Sequence, residues 1–282
     1  MTDDTDGRRA FRERGLRAKR SFGQCFLADP NIARNIAIEA TTPEGGTCLE
    51  IGPGTGALTK HLLQRATRVV AIERDRDLIP LLQTTFAREN QDGRLVLIEG
   101  DAATEDWLSP IATGVQPRVI VGNVPYSITG RLLERAIHLA DKVDRVVFMV
   151  QKEVADRIAA AVGTKDYGAL SIFVQEAFTL QKRMFVSSSC FRPRPEVDST
   201  VIVLDTRGQG REVPSAVFYA LVTAAFSKRR KTLRNAWKGW RGLSAEHVEA
   251  AAAIAGISLD ARAETIHPAQ FVAMAAALPL RG

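Results

Sequence analysis

From Thr47 onward the chain repeats one rhythm. Short apolar runs ("TCLEIG", "RVVAIE", "RLVLIEG", "PRVIVGN", "RVVFMVQ") are interspersed with longer amphipathic ones ("ALTKHLLQRA", "DLIPLLQTTFAREN", "ITGRLLERAIHLA", "KEVADRIAAAV"). The apolar runs are too short for helices and are apolar on both faces, so each strand must be covered from both sides. Helices recurring between strands supply that cover and predict a parallel, doubly wound sheet. In such a sheet a ligand binds in the crevice beyond the carboxyl ends of the strands. A helix over "PNIARNIAIEA" precedes the first strand, and the turn residues of "TTPEGG" end it.

The rhythm then breaks. "ALSIFVQEAFTLQKRMFV" and "STVIVLD" read as later strands on either side of a proline-rich connection, "CFRPRPEVDS", and predict an antiparallel addition at one edge. After "TRGQG" the chain is alanine-rich and helical, with no further strand signal, which places a boundary near Asp205. The predicted fold class is therefore α/β, a doubly wound Rossmann-like sheet with a smaller C-terminal all-helical domain. Its parts are a basic arm over 1–20, a sheet domain over 21–205 and a helical domain over 206–282.

No apolar run reaches the roughly 20 residues needed to cross a bilayer, and the charged start "MTDDTDGRRAFRER" lacks an apolar leader, so a cytoplasmic, membrane-free protein is expected. Cys25, Cys48 and Cys190 form no CxxC pair, and no metal site is expected. The net charge is +6. Its distribution says more: basic residues gather in Arg8 to Arg20 and again in "SKRRKTLRNAWKGWR", where Trp237 and Trp240 are interleaved. Arginine, lysine and aromatic rings together suit a nucleic-acid backbone and its bases. Lys228, Arg229, Arg230, Lys231 and Arg234 are the candidate RNA contacts.

Two stretches carry chemistry. "LEIGPGTGALT" sets Gly52, Gly54 and Gly56 between a strand and a helix, where absent side chains allow a tight turn and close approach of a ligand. Glu50 precedes the turn, Glu73 ends the next strand and Asp101, with Ala102 beside it, follows the third. Three carboxylates around one loop repel a pyrophosphate but tolerate a cationic sulfonium, which points to S-adenosylmethionine. Glu73 is then placed to accept from the ribose hydroxyls and Asp101 from the adenine amine. In the second stretch, "VGNVPYSITG", Asn123 ends the fourth strand next to that loop. An exocyclic adenine amine is a poor nucleophile. The Asn123 side-chain oxygen and the Val124 carbonyl are suited to grip its hydrogens, Pro125 to stiffen the segment and Tyr126 to stack on the base.

These motifs resemble those of the small-subunit ribosomal RNA adenine dimethyltransferases. "NVPY" is similar to the Asn-x-Pro-Tyr motif of amino-directed nucleic-acid methyltransferases. "SFGQCFLADPNI", "EGDA", "VQKEVADRI", "FRPRPEVDSTVIVL", "SKRRKTLRNAW" and "GISLDARAETIHPAQFVAMA" extend the likeness over nearly everything after Lys19. The resemblance implies a Rossmann-like methyltransferase domain. It also implies dimethylation of two adjacent adenosines near the 3′ end of small-subunit rRNA during ribosome assembly, with that rRNA and its assembly intermediates as partners; a monomer is expected. Cofactor contacts are implied at Gln24, Cys25, Leu27, Gly52, Glu73, Asp101 and Asn123, and an aromatic over the target base at Phe191. Two positions depart from the family pattern: Cys25 stands where Asn is usual, and Phe22 where Leu is usual, the latter expected to alter only packing. A large-subunit adenine methylase and a non-catalytic assembly factor are the competing readings. "RAETIHPAQF" argues against the first, and intact Asn123, Pro125 and Tyr126 against the second.

Overall fold

The computed structural model describes residues 6–208, 216–228 and 230–279. In chain order the strands are β1 (Phe26–Leu27), β2 (Thr47–Ile51), β3 (Arg68–Glu73), β4 (Leu95–Glu99), β5 (Arg118–Asn123), β6 (Arg145–Gln151), β7 (Phe178–Val186), β8 (Phe191–Arg192) and β9 (Ser199–Thr206). The helices that matter below are α1 (Asp6–Glu13), α2 (Pro30–Ala40), α3 (Ala57–Leu63), α4 (Ile79–Thr85), α5 (Ala87–Gln91), α6 (Ser109–Ala112), α7 (Thr129–His138), α8 (Lys152–Ile158) and α9 (Ala169–Ala177). They are followed by α10 (Ala216–Ser227), α11 (Leu233–Ala236), α12 (Ala245–Ile254) and α13 (Pro268–Ala277).

Seven strands make one sheet in the order β4-β3-β2-β5-β6-β9-β7. Strands β2 to β6 are parallel, with Leu49 opposite Val70 on one side and Ile120 on the other. β9 runs antiparallel to β6, pairing Val147 with Val203. From β2 the chain winds outward through β3 and β4, then returns to lay β5 on β2's other side. That reversal opens a crevice at the carboxyl ends of the central strands. β1 and β8 form a separate antiparallel pair, Leu27 opposite Phe191. The core on one face joins Val69, Ala71, Val121 and Val147 to Ile36 of α2 and Leu62 of α3. Fully burying such a side chain stabilises by about 1.5–3 kcal/mol. Asp29 caps α2 by accepting from the Asn31 and Ile32 amides, ahead of a proline at the first helical position.

Two elements differ from the sequence reading. "ALSIFVQEA" is helix α9, not strand. A continuous apolar run does not reveal its period, and here Ser171 decides it by accepting from the Gly168 amide (3.0 Å) and donating to the Arg157 carbonyl (2.7 Å). "DLIPLLQTTFAREN" is two helices, broken at Phe86, which leaves helical geometry (φ −115°, ψ 39°).

Packing divides the chain into residues 1–155 with 180–210, and residues 156–179 with 211–282. Residues 156–179, placed by sequence in the sheet domain, thus group with the C-terminal helices. Within this helical unit Trp237 donates to the Leu221 carbonyl (3.1 Å) and meets Phe271 edge-on, and the Tyr167 hydroxyl donates to the Ile266 carbonyl (3.0 Å). In the other unit α1 packs on α4, so the segment expected as a basic arm is joined to the sheet unit. Among the described residues no helix is long and apolar enough to cross a membrane.

Candidate active site

Four neighbouring strand ends open onto one cleft of about 900 Å³, solvent mouth included. β2 contributes Ile51, Gly52 and Gly54, β3 Glu73 and Arg74, and β4 is followed by Gly100, Asp101 and Ala102. β5 delivers Asn123, Val124, Pro125 and Tyr126, and Ser21 to Phe26 form the remaining wall. The turn after β2 requires glycine. Gly52 and Gly54 have φ of +67° and +60°, and a Cβ on Gly54 would lie 3.0 Å from the Phe26 ring. A Cβ on Gly52 would meet no protein atom, so the space over its backbone is left to the cleft.

The acids separate into two kinds. Glu73 accepts from the Gly54 amide (3.0 Å) and, through its other oxygen, from the Asp75 amide (2.8 Å). Burial raises its pKa, opposed by those backbone bonds. Asp101 accepts from the Ala103 amide (2.9 Å) and faces Arg74 at 3.5 Å. Glu50, expected beside these two, is not in the cleft. It is 1% exposed, accepts from the Thr59 hydroxyl (2.7 Å) and is pushed up to about 8 by burial, with Glu73's charge adding to the effect. The carboxylates that face the cleft are therefore Glu73 and Asp101, with Glu50 neutral at pH 7. A cleft of carboxylate acceptors with an open glycine turn suits hydroxyl and amino donors and a cation, and fits S-adenosylmethionine. The loop after β4 is braced: Trp107 donates to the Ala102 carbonyl (2.9 Å), and Arg135 of α7 donates to the Ala103 and Glu105 carbonyls.

Asn123 donates from Nδ2 to the Cys25 carbonyl (3.0 Å). That bond orients the amide and leaves Oδ1 available as an acceptor. It also answers the departure at Cys25: the bond to Asn123 is made by backbone, which a cysteine supplies as well as an asparagine. Val124 is buried and lines the cleft, Pro125 holds φ −58°, and the Tyr126 hydroxyl shares a 2.7 Å hydrogen bond with the Ser199 hydroxyl. Burial raises the Tyr126 pKa.

The structure does not bring every expected residue to the cleft. Leu27 turns into the core, because alternate residues of β1 face opposite ways and Phe26 takes the cleft side. Phe191, expected to close over a base, has no exposed surface: its pairing with Leu27 directs it into the same core. Gln24 lines the cleft with both ends of its amide engaged, Oε1 by the Lys19 amide (2.7 Å) and Nε2 by Asp75 (2.8 Å). Phe22, expected to alter only packing, lines the cleft beneath Arg74 (4.9 Å) and Lys19 (5.5 Å). Lys19, Asp75 and Ser199 carried no sequence signal as cleft residues, since the side-chain bonds that bring them there span 51 to 73 residues. In the helical unit Lys228, Arg230 and Lys231 are exposed, and Arg229 lies outside the described residues. Arg234 is exposed and paired with Glu249 (2.7 Å) and Asp260 (3.2 Å), whereas Trp237 is buried and not presented to a partner. No group of three His, Cys, Asp or Glu among the described residues is placed to hold a metal.

A family model for ribosomal RNA adenine dimethylase matches residues 15–279. The chain is 38% identical to the ribosomal RNA small subunit methyltransferase A of Geobacter metallireducens, over 96% of this chain and 99% of that one. It is 40% identical to the protein of that name from Aromatoleum aromaticum, over 92% and 93%. Among solved structures, a dimethyladenosine transferase from Plasmodium falciparum superposes with TM-score 0.71 at 25% identity, covering 88% of this chain and 95% of that one. The 23S rRNA methyltransferase ErmE superposes with TM-score 0.64 at 25% identity, covering 90% and 100%.

Proposed function

Since the chain belongs to the ribosomal RNA adenine dimethylase family, we propose that it dimethylates the exocyclic amines of two adjacent adenosines near the 3′ end of small-subunit rRNA during ribosome assembly. It is an S-adenosylmethionine-dependent methyltransferase with the Rossmann-like fold of that family. The small-subunit relatives match at 38–40% identity over nearly full length, which favours the small subunit over the large-subunit substrate in the name of the ErmE neighbour.

The observation that carries the reading is the orientation of Asn123. With Nδ2 held by the Cys25 carbonyl, Oδ1 is the fixed acceptor at the end of β5, one strand from the glycine turn. When bound, the cofactor supplies an electrophilic methyl group on a sulfonium. Gly52, Gly54, Glu73, Asp101 and Ala102 would hold it, with Cys25 and Asn123 lining the same cleft. Asn123 Oδ1 and the Val124 carbonyl accept the amine hydrogens and align the nitrogen, while Tyr126 stacks on the extruded base; such a stack is worth about 1–3 kcal/mol. No general base is needed, because the amine becomes acidic once alkylated and releases its proton to water. Lys228, Arg230 and Lys231 approach the RNA backbone, and the protein acts as a monomer in the cytoplasm. The test is methyl transfer from radiolabelled S-adenosylmethionine to undermethylated small and large subunits, with products mapped by mass spectrometry. Dimethyladenosine pairs confined to the small subunit are expected. Labelling of the large subunit, or binding without transfer, refutes the reading.

A further inference from the structure

One wall of the cleft lies outside the seven-stranded sheet. Ser21 to Phe26 precede β2 and reach the carboxyl ends of the strands from outside, so something must fasten them there. At its far end the Cys25 carbonyl is held by Asn123 Nδ2 (3.0 Å) and Phe26 by the pairing of β1 with β8; at its near end the fastening centres on one carboxylate. Asp75, just past β3 and 3% exposed at its side chain, accepts from Lys19 Nζ through Oδ1 (2.5 Å) and from Gln24 Nε2 through Oδ2 (2.8 Å). The loop closes on itself where the Lys19 amide donates to Gln24 Oε1 (2.7 Å), and Lys19 Nζ also reaches Asp77 (2.6 Å). On its inner side the Asp75 amide donates to Glu73 Oε1, while Gly54 donates to Glu73 Oε2. One continuous path therefore runs from the N-terminal segment through Asp75 to Glu73 and the glycine turn. The same Lys19 lies over Phe22, whose ring Arg74 also covers.

We propose that Lys19 and Asp75, with Gln24, are positioning residues that latch residues 19–26 across the cofactor cleft and fix the orientation of Glu73. They act through the wall and through Glu73, not by touching the cofactor. The proposal rests on the cofactor lying over Gly52 and Glu73. Gln24, implied by the resemblance to be a cofactor contact, belongs to the latch because both of its amide ends are engaged within it. Lys19 is one-third exposed at its side chain, so screening limits the effect. The expected loss of affinity is correspondingly modest, roughly three- to tenfold, concentrated in the dissociation rate.

The test is calorimetric binding of S-adenosylmethionine and of S-adenosylhomocysteine to the full chain and to K19M, D75N, K19M/D75N and K19R. Both ligands should lose affinity to the same degree, since the latch does not address the sulfonium. K19R should recover most of the loss, and the double variant should be about as weak as a single one, because either change opens the same latch. In steady state K19M should raise KM for S-adenosylmethionine while kcat falls by less than about threefold. Hydrogen exchange of residues 19–26 should quicken in K19M. Additive losses, unchanged affinity, or equal affinity of K19M and K19R would overturn the latch. E73A separates the two readings: if it binds like the wild type, the placement of the cofactor fails, whereas weakened E73A beside an unaffected K19M sinks the latch alone.

Discussion

Replacing Glu50 by glutamine tests the distinction between the acid beneath the glycine turn and those in the cleft. The Glu50 carboxyl is fully buried, accepts from the hydroxyl and the backbone amide of Thr59, and burial raises its pKa from 4.5 to about 8. In the unfolded chain it ionises near 4.5. A raised acid binds its proton more tightly in the folded state, so its contribution to stability is complete below pH 4.5 and is lost as pH climbs through about 8. The interval at about 1.4 kcal/mol per pH unit comes to roughly 5 kcal/mol, of which about 3.5 falls between about pH 5 and 8. Glutamine keeps the shape and an oxygen for Thr59 but does not titrate. Urea unfolding of both proteins at about pH 5, 6, 7 and 8 should show the E50Q variant gaining on the wild type steadily, whatever their offset at the acid end. Infrared spectra at about pH 6 should contain a protonated-carboxyl carbonyl band that E50Q lacks. Stabilities that run parallel within about 0.5 kcal/mol across that range, or no such band, would refute a buried neutral Glu50 and return it to the ionised set around the cofactor.

Phe191→Ala should lower stability by about 3–5 kcal/mol, as for a fully buried phenylalanine, with S-adenosylmethionine affinity kept below the melting point; unchanged melting with lost methylation would restore the base-stacking role. Ser199→Ala removes the partner of the Tyr126 hydroxyl and should reduce kcat/KM for RNA about two- to tenfold, with Ser199→Thr close to wild type. Tyr126→Phe should do the same, and the double variant no more; additive losses would separate the two residues. Lys228→Ala with Lys231→Ala should flatten the salt dependence of RNA binding by about 0.7–0.9 in slope for each phosphate that the variant no longer neutralises. Arg234→Ala, which breaks pairs to Glu249 and Asp260, should lower the melting temperature and leave that slope alone, as measured by filter binding between low and moderate salt.

The sequence by itself determined the sheet and the edge on which chemistry occurs. Strands buried on both faces leave an apolar run that needs no partner to be recognised. The parallel winding then places every carboxyl end on one side, so Gly52, Glu73, Asp101 and Asn123 converge whatever the details. Tertiary structure alone decided which way individual side chains turn. Glu50 and Glu73 occupy similar places at consecutive strand ends, yet one is sealed under the turn with Thr59 while the other opens to the cleft. Phe26 and Leu27 are adjacent, and the two-residue period of a strand sends one to the cleft and the other, with Phe191, to the core. The bonds that set the site join residues far apart in the chain: Asn123 to Cys25 across 98 positions, Tyr126 to Ser199 across 73, and Lys19 to Asp75 across 56. A periodic pattern reports local environment within a few residues. Which distant carbonyl or carboxylate completes a hydrogen bond depends on how the elements pack, and that is settled only when the chain has folded.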